Sequence, residues 1–208
     1  MSHTYIFEQI ELILKKLAED PGNSTLFNDL GAGYYLLGEY EKAVSAHLKC
    51  LELDPGNTKA LYNLANAYSE TGQFRKAIAL YLEVLEKEPD HIPALNNIAD
   101  CYEKEGESDK AEELFHYLTR LNPENAVSHF NLGNFLLRQN RHIEAAKAYQ
   151  ASVEAESSFT DAYFNLAWIL HRVKAHEKAL EYARIGLKFN PEHPDLLKLL
   201  SEIRNQIG

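Results

Sequence analysis

Cysteine is scarce: Cys50 and Cys101 stand 51 residues apart, and neither has a neighbour at a metal-binding or redox spacing. Two buried free thiols of a reducing compartment are expected. Basic charge is scarce too. The 21 Lys and Arg face 31 Asp and Glu, for a net charge of -10. Nucleic-acid binding needs clustered cations that displace the counterions of phosphate, so nucleic acid and anionic membrane surfaces are excluded as partner classes. No apolar run approaches the length of a membrane span, which excludes direct membrane insertion. The N-terminus lacks the basic start and apolar core of a secretory signal, so a cytoplasmic location is expected. No glycine-rich phosphate loop, nucleophile elbow or pair of catalytic carboxylates is present. The 9 histidines include no i, i+4 pair; His171 and His176 are five apart and straddle a turn. No enzyme activity, cofactor or metal is expected.

What the chain does have is a period. Pro21, Pro55, Pro89 and Pro123 recur every 34 residues, Ser157 takes the next beat, and Pro191 resumes it. Ala43, Ala77, Ala111, Ala145 and Ala179 keep the same period without a gap. Self-similarity at this length means one supersecondary unit copied along the chain, so a stacked array is expected rather than a closed globule. The 208 residues are 45% hydrophobic and 25% charged, the balance of a folded chain.

Each repeat is taken to begin three residues after the proline beat, at Ser24, Thr58, Ile92, Ala126 and Thr160. Positions 4, 7 and 11 are then large: Phe27, Leu30 and Tyr34; Leu61, Leu64 and Tyr68; Leu95, Ile98 and Tyr102; His129, Leu132 and Leu136; Tyr163, Leu166 and Leu170. These spacings place them on one face of a helix. Position 8 is small throughout (Gly31, Ala65, Ala99, Gly133, Ala167), which lets a second helix approach and is expected to receive the alanine at position 20. Position 15 is Gly38, Gly72, Gly106 and Asn140, residues that accept a left-handed conformation and so end the first helix. The fifth repeat has Lys174 there, so its turn is either built differently or strained. A second helix follows, with His47, Tyr81, Phe115 and Tyr149 on its packing face, until the proline stops it.

Period, small residues, turn residues and proline together resemble the tetratricopeptide repeat family. The resemblance covers residues 24–193 and departs locally at His129, Ser157 and Lys174. It implies an all-α fold, a right-handed superhelical α-solenoid of five helix pairs. The expected organisation is a single array over residues 1–208: a cap helix at 3–20, repeats 24–57, 58–91, 92–125, 126–159 and 160–193, and a second cap at 194–207. The first cap would pack through Ile6, Phe7, Ile10, Ile13, Leu14 and Leu17, the second through Leu196, Leu197, Leu200 and Ile203.

In that family the first helices line the concave side, with positions 2, 5, 6, 9, 12 and 13 facing into it. Carried over, this gives a ladder of Asn63, Asn97, Asn131 and Asn165 at position 6, and Asn66, Asp100 and Asn134 at position 9. Asparagine is a mediocre helix former, so this many at one register in mid-helix need a reason. An amide donates and accepts at once and can grip an extended backbone without reading its sequence. The arrangement resembles the asparagine ladder of O-linked N-acetylglucosamine transferases. The competing reading is a relic of duplication, or asparagines that each bond the neighbouring repeat's backbone. Tyr62, Phe130 and Phe164 at position 5, with Trp168 and His171, add aromatic candidates for anchoring a partner. Arg138 and Arg172 make the later repeats more basic than the earlier ones, which offer Asp29, Glu70, Asp100 and Glu103 against Lys59 and Lys104. Position 5 is never Lys, so the clamp with which some arrays of the family hold a C-terminal carboxylate is not expected.

The expected function is a non-catalytic adaptor or scaffold that binds a protein or peptide segment in the groove. The alternatives are a self-assembling scaffold, a homo-oligomer joined through its caps or concave face, and a regulatory repeat region of a larger enzyme.

Overall fold

The computed structural model describes residues 3–207. Residues 1, 2 and 208, the outermost of the expected array, lie outside the described residues. Among the described residues there are twelve helices and no strand. They are α1 (His3–Glu19), α2 (Ser24–Leu36), α3 (Tyr40–Leu53), α4 (Thr58–Glu70), α5 (Phe74–Lys87), α6 (Ile92–Lys104), α7 (Ser108–Leu121), α8 (Ala126–Arg138), α9 (His142–Ala155), α10 (Thr160–Arg172), α11 (His176–Phe189) and α12 (Pro194–Ile207). Every first helix starts at the residue expected from the period.

The chain divides into two compact units, Met1–Ala111 and Glu112–Gly208, with the boundary inside α7. In the first unit, successive helices from α1 to α6 pack pairwise, and α2 touches α4 as α4 touches α6. In the second, α8 to α12 pack in the same serial way, α10 also meets α12, and the Phe115 ring of α7 lies against Phe135 of α8, centroids 5.3 Å apart.

Local chemistry sets the helix ends. Asn23, Asn57 and Asn125 cap α2, α4 and α8, each side chain accepting the backbone N–H three residues on, at 3.2, 3.0 and 2.9 Å. His91 does the same for α6 through Nδ1. Such caps contribute roughly 0.5–2 kcal/mol each. The N-cap of the fifth repeat's first helix is Phe159, whose ring cannot accept a backbone N–H. At the other end, all five first helices close through one motif. The backbone N–H after the left-handed residue returns to the carbonyl five residues earlier: Glu39 to Tyr34, Gln73 to Tyr68, Glu107 to Tyr102, Arg141 to Leu136 and Ala175 to Leu170. The left-handed residues are Gly38, Gly72, Gly106, Asn140 and Lys174. Lys174 at φ 63° therefore makes the same turn as the glycines, and strain is the outcome of the two alternatives.

At two of the five repeats the small residue at position 8 also meets an aromatic ring of the second helix. A Cβ added to Gly31 would stand 2.5 Å from the His47 ring, and one on Gly133 would stand 2.6 Å from the Tyr149 ring. The two glycines make room for the ring at position 24, and in the fifth repeat Ala167 at position 8 shares a core cluster with Ala179 at position 20. The alanines at position 20 are themselves fully buried.

The two terminal helices bury narrower stripes than expected. On α1, Ile6, Ile10 and Leu17 are buried with Ile13 beside them, whereas Phe7 and Leu14 are exposed. On α12, Leu196, Leu199 and Ile203 are buried against Ala167, Ala179 and Ala183, and Leu197 faces out. Both corrections follow from the helical period. Residues i, i+3 or i+4, and i+7 share a face, and Phe7, Leu14 and Leu197 are each one residue off it.

Candidate functional site

In the first unit, a pocket of about 280 Å³ is lined by Tyr35, Tyr62, Asn66, Ser69, Glu70, Tyr81, Asn97, Asp100 and Lys104. All but Tyr81 come from the first helices α2, α4 and α6, and they fall on positions 5, 6, 9, 12 and 13. The groove positions implied by the family resemblance therefore meet on one wall.

Its centre is a bonded cluster. Tyr81 Oη donates to Asn66 Oδ1 at 2.5 Å. Asn97 Nδ2 lies 2.9 Å from Asn66 Oδ1, 3.1 Å from Tyr81 Oη and 3.2 Å from Tyr62 Oη. Tyr81 is almost wholly buried, and burial pushes its hydroxyl well above the usual phenol range. It is thus a fixed neutral donor. Nearby, Tyr35 donates to Glu70 at 3.4 Å; burial and the Glu70 carboxylate push the phenol up to about 12.

The second unit repeats the cluster. Tyr149 Oη donates to Asn134 Oδ1 at 2.8 Å, and Asn165 Nδ2 reaches the same oxygen at 3.3 Å. Tyr149 is fully buried, and its hydroxyl is raised for the same reason as that of Tyr81. The rule behind both is visible by position. Tyrosine stands at position 24 only in the second and fourth repeats, the two repeats that have asparagine at position 9. The next repeat then supplies the amide at position 6.

The remaining ladder residues are placed as follows. Asn63 donates to Asn28 Oδ1 at 3.1 Å. Asn131 and Asp100 are half-buried and exposed, respectively. These asparagines thus bond the neighbouring repeat through side chains, not through its backbone as the competing reading has it. Part of each paired amide is left over: among the described residues, no bond uses the Nδ2 of Asn66 or Asn134, or the Oδ1 of Asn97 or Asn165.

The aromatic candidates also pack on their own chain. Tyr62 lies on His91 at 4.9 Å, Phe130 edge-on to Phe159 at 5.0 Å, and Phe164 stacked on His193 at 6.1 Å. In each case the ring at position 5 rests on the residue just before a later helix: His91 before α6, Phe159 before α10 and His193 before α12. Trp168 is half-buried against the α12 cluster, with the Arg172 guanidinium 5.2 Å from its ring centroid. Arg138 and Arg172 are exposed. His171 meets His176, Nδ1 to Nδ1 at 3.1 Å. Their spacing of five does not suggest this; the left-handed turn at Lys174 folds one back onto the other. Cys50 and Cys101 are both buried and free.

Sequence models of the tetratricopeptide repeat match residues 34–96, 72–129, 104–159 and 136–194. The chain belongs to the tetratricopeptide repeat family. Repeat proteins of this family generally mediate protein–protein interactions. The fold is similar to that of YrrB, a TPR protein with an unusual peptide-binding site, at 21% identity and a TM-score of 0.57 over 91% of this chain and 97% of that one. It is similar to Pseudomonas aeruginosa PilF at 20% identity and a TM-score of 0.69, over 91% of this chain and 86% of that one. It is also similar to yeast Tom70 at 19% identity and a TM-score of 0.74, over 96% of this chain and 43% of that one. No curated protein matches the chain in sequence. Among the described residues, no helix is long and apolar enough to cross a membrane.

Proposed function

We propose that this protein is a non-catalytic adaptor or scaffold whose first-helix face binds the backbone of an extended peptide segment, the five repeats acting as one array. The observation that carries this reading is the division of labour within the two amide pairs. Each pair spends one carbonyl and one amino group on the scaffold: Asn66 Oδ1 with Asn97 Nδ2, and Asn134 Oδ1 with Asn165 Nδ2. What each pair has left is one amino group and one carbonyl, the complement of a peptide unit. The bonds that fix the amides also remove the rotamer entropy that binding would otherwise cost. The resemblance to YrrB supports the reading at the level of the fold.

Around these pairs the other candidates set preference rather than grip. Asn63, Asp100 and Tyr62 line the approach in the first unit, and Asn131, Arg138, Phe130, Phe164, Trp168, His171 and Arg172 do so in the second. The test begins with a peptide selected on the protein from a displayed random library, titrated calorimetrically. Replacing Asn97, Asn131 and Asn165 together by alanine is expected to abolish binding while circular dichroism still reports a helical fold. A folded triple variant that binds like the parent would move the site to the second helices or the terminal helices.

A second reading has one observation in its favour. Phe7, Leu12 and Leu14 are exposed on α1. Mass that grows with concentration in light scattering, and stops growing in Phe7→Glu, would favour self-association through that helix.

A further inference from the structure

The polar pocket of the first unit, about 280 Å³, is several times larger than the space of about 30 Å³ that one water takes in the liquid. It has room for a side chain. The amide cluster forms part of its wall, since Asn66, Asn97 and Tyr81 all line it. A peptide backbone held by Asn66 and Asn97 therefore has this pocket beside it. What the rest of the wall prefers decides which residue of the peptide goes there.

That wall is rich in acceptors. Two carboxylates, Glu70 and Asp100, share it with one ammonium, Lys104. The Lys104 ammonium lies 5.4 Å from the centroid of the Phe74 ring, a residue outside the pocket lining, and the ring contributes to holding it there. Glu70 is oriented by the preceding repeat: Tyr35 Oη donates to it at 3.4 Å. That bond uses one of the roughly four lone-pair sites of a carboxylate. Among the described residues, Glu70 enters no ion pair. Asn66 and Glu70 stand one turn apart on α4, about 6 Å along its axis, and Asn97 is bonded to Asn66. Acceptors thus sit at two levels of one wall, the carboxylate and the uncommitted Asn97 Oδ1, with the rings of Tyr35 and Tyr62 between the repeats.

We propose that this pocket receives a basic side chain, the Lys or Arg of the peptide segment held by Asn66 and Asn97. The proposal rests on the peptide-binding reading above. The cation's charge is met by Glu70, with Asp100 adding to the field, and its N–H groups by the carboxylate and the Asn97 carbonyl. Its methylene stem lies along the tyrosine rings, which also favour a cation at their faces. An acidic side chain would meet two carboxylates of its own sign. An apolar one would strip water from Glu70 and from the Asn97 carbonyl without replacing the lost bonds. A neutral amide supplies N–H groups but leaves the charge unanswered. The preference belongs to the first unit: Glu70 holds position 13, and the fourth repeat, which carries the other amide cluster, has Arg138 there.

The test uses the full chain and a displayed random peptide library. Peptides selected on the parent are expected to carry Lys or Arg at one fixed position. Glu70→Gln removes the charge and keeps the shape; it should still select peptides, but without that preference. Glu83→Gln makes the same change of charge at an exposed site on α5, outside the pocket, and should keep the preference. This control separates the pocket from the general attraction of cations to a chain of net charge -10. In calorimetric titration, a peptide selected on the parent should bind Glu70→Gln about three- to fivefold more weakly, the upper range for a partly exposed ion pair, and Glu83→Gln equally well. Added salt should narrow the gap between parent and Glu70→Gln. Circular dichroism checks that both variants fold. Selected peptides with no basic position, a preference that survives Glu70→Gln, or one that both variants lose alike would overturn this proposal and leave the backbone-binding reading standing. If no library peptide binds the parent, the backbone-binding reading fails and this one fails with it.

Discussion

The amide cluster of the first unit and that of the second have the same three parts at the same positions, yet they are held differently. In the first, Asn97 Nδ2 has three acceptors within 3.2 Å, one of them the Tyr62 hydroxyl at position 5. In the second, position 5 is Phe130, which offers no hydroxyl, and Asn165 reaches Asn134 at 3.3 Å. The first cluster also opens onto a polar pocket with Glu70, Asp100 and Lys104 on its walls. The second has the Phe130 ring 5.6 Å from that of Tyr149, and Phe130 also rests edge-on against Phe159. On the proposed function, the difference separates two roles within one motif. The amide pair is the constant part, suited to a backbone common to all peptides. The residue at position 5 and the side chains around it are the variable part, suited to the chemistry of a particular segment.

The largest expected effect concerns a ring the second unit does not have at position 24. His47 is held near pKa 4 by burial, below the ordinary value of 6.5. The unfolded chain therefore takes up this proton first as pH falls. Stability is full above about pH 6.5, declines between 6.5 and 4, and levels off below, with a loss of up to about 3 kcal/mol from this residue. Denaturant titrations at pH 7 and pH 4.5 should show the loss in the parent and a smaller one in His47→Phe; equal losses would remove His47 as the cause.

Next in size is the anchor of each cluster. Asn66→Ala and Asn134→Ala each strand a buried tyrosine hydroxyl, at a cost of about 1–3 kcal/mol. The cost should be greater at Asn66, where Asn97 loses an acceptor 2.9 Å away as well. Thermal melts of the two variants make the comparison, and a larger loss at Asn134 would contradict the firmer hold assigned to the first cluster.

An exchange at position 5 is smaller. Tyr62→Phe should cost about 0.5–1.5 kcal/mol by removing the third acceptor of Asn97, whereas Phe130→Tyr should cost nothing or gain a few tenths. Losses of equal size at both positions, read from denaturation midpoints, would mean that packing alone decides.

The smallest effect is at the turns. Lys174→Gly should relieve the left-handed strain and raise stability by about 1 kcal/mol, and Gly38→Ala should lower it by about as much. A Lys174→Gly variant no more stable than the parent would show that the turn is compensated elsewhere.

Much of the fold was legible because its signals are local and repeated. Proline after each second helix, glycine or asparagine at position 15 and the small residue at position 8 mark helix ends and close approach without any long-range information. What was not legible depended on which side chains meet across helices. The asparagines read as a free ladder because their spacing along the chain does not reveal that Tyr81 and Tyr149 reach them from the second helices. The coincidence of tyrosine at position 24 with asparagine at position 9 carried that signal. Trp168 reads as an open anchor until α12, which lies outside the repeat pattern, covers part of it. The contact between His171 and His176 depends on a lysine adopting a glycine conformation, which composition does not announce.

Binding of a peptide backbone by the two amide pairs is central to the proposed function. The most direct measurement follows the asparagine side-chain amides by NMR while a peptide selected from a random library is added to saturation. The Nδ2 groups of Asn66 and Asn134 should shift together with the peptide's occupancy, and a second selected peptide of unrelated sequence should move the same two groups. Saturation that leaves both unshifted while residues of the second helices respond would contradict the account.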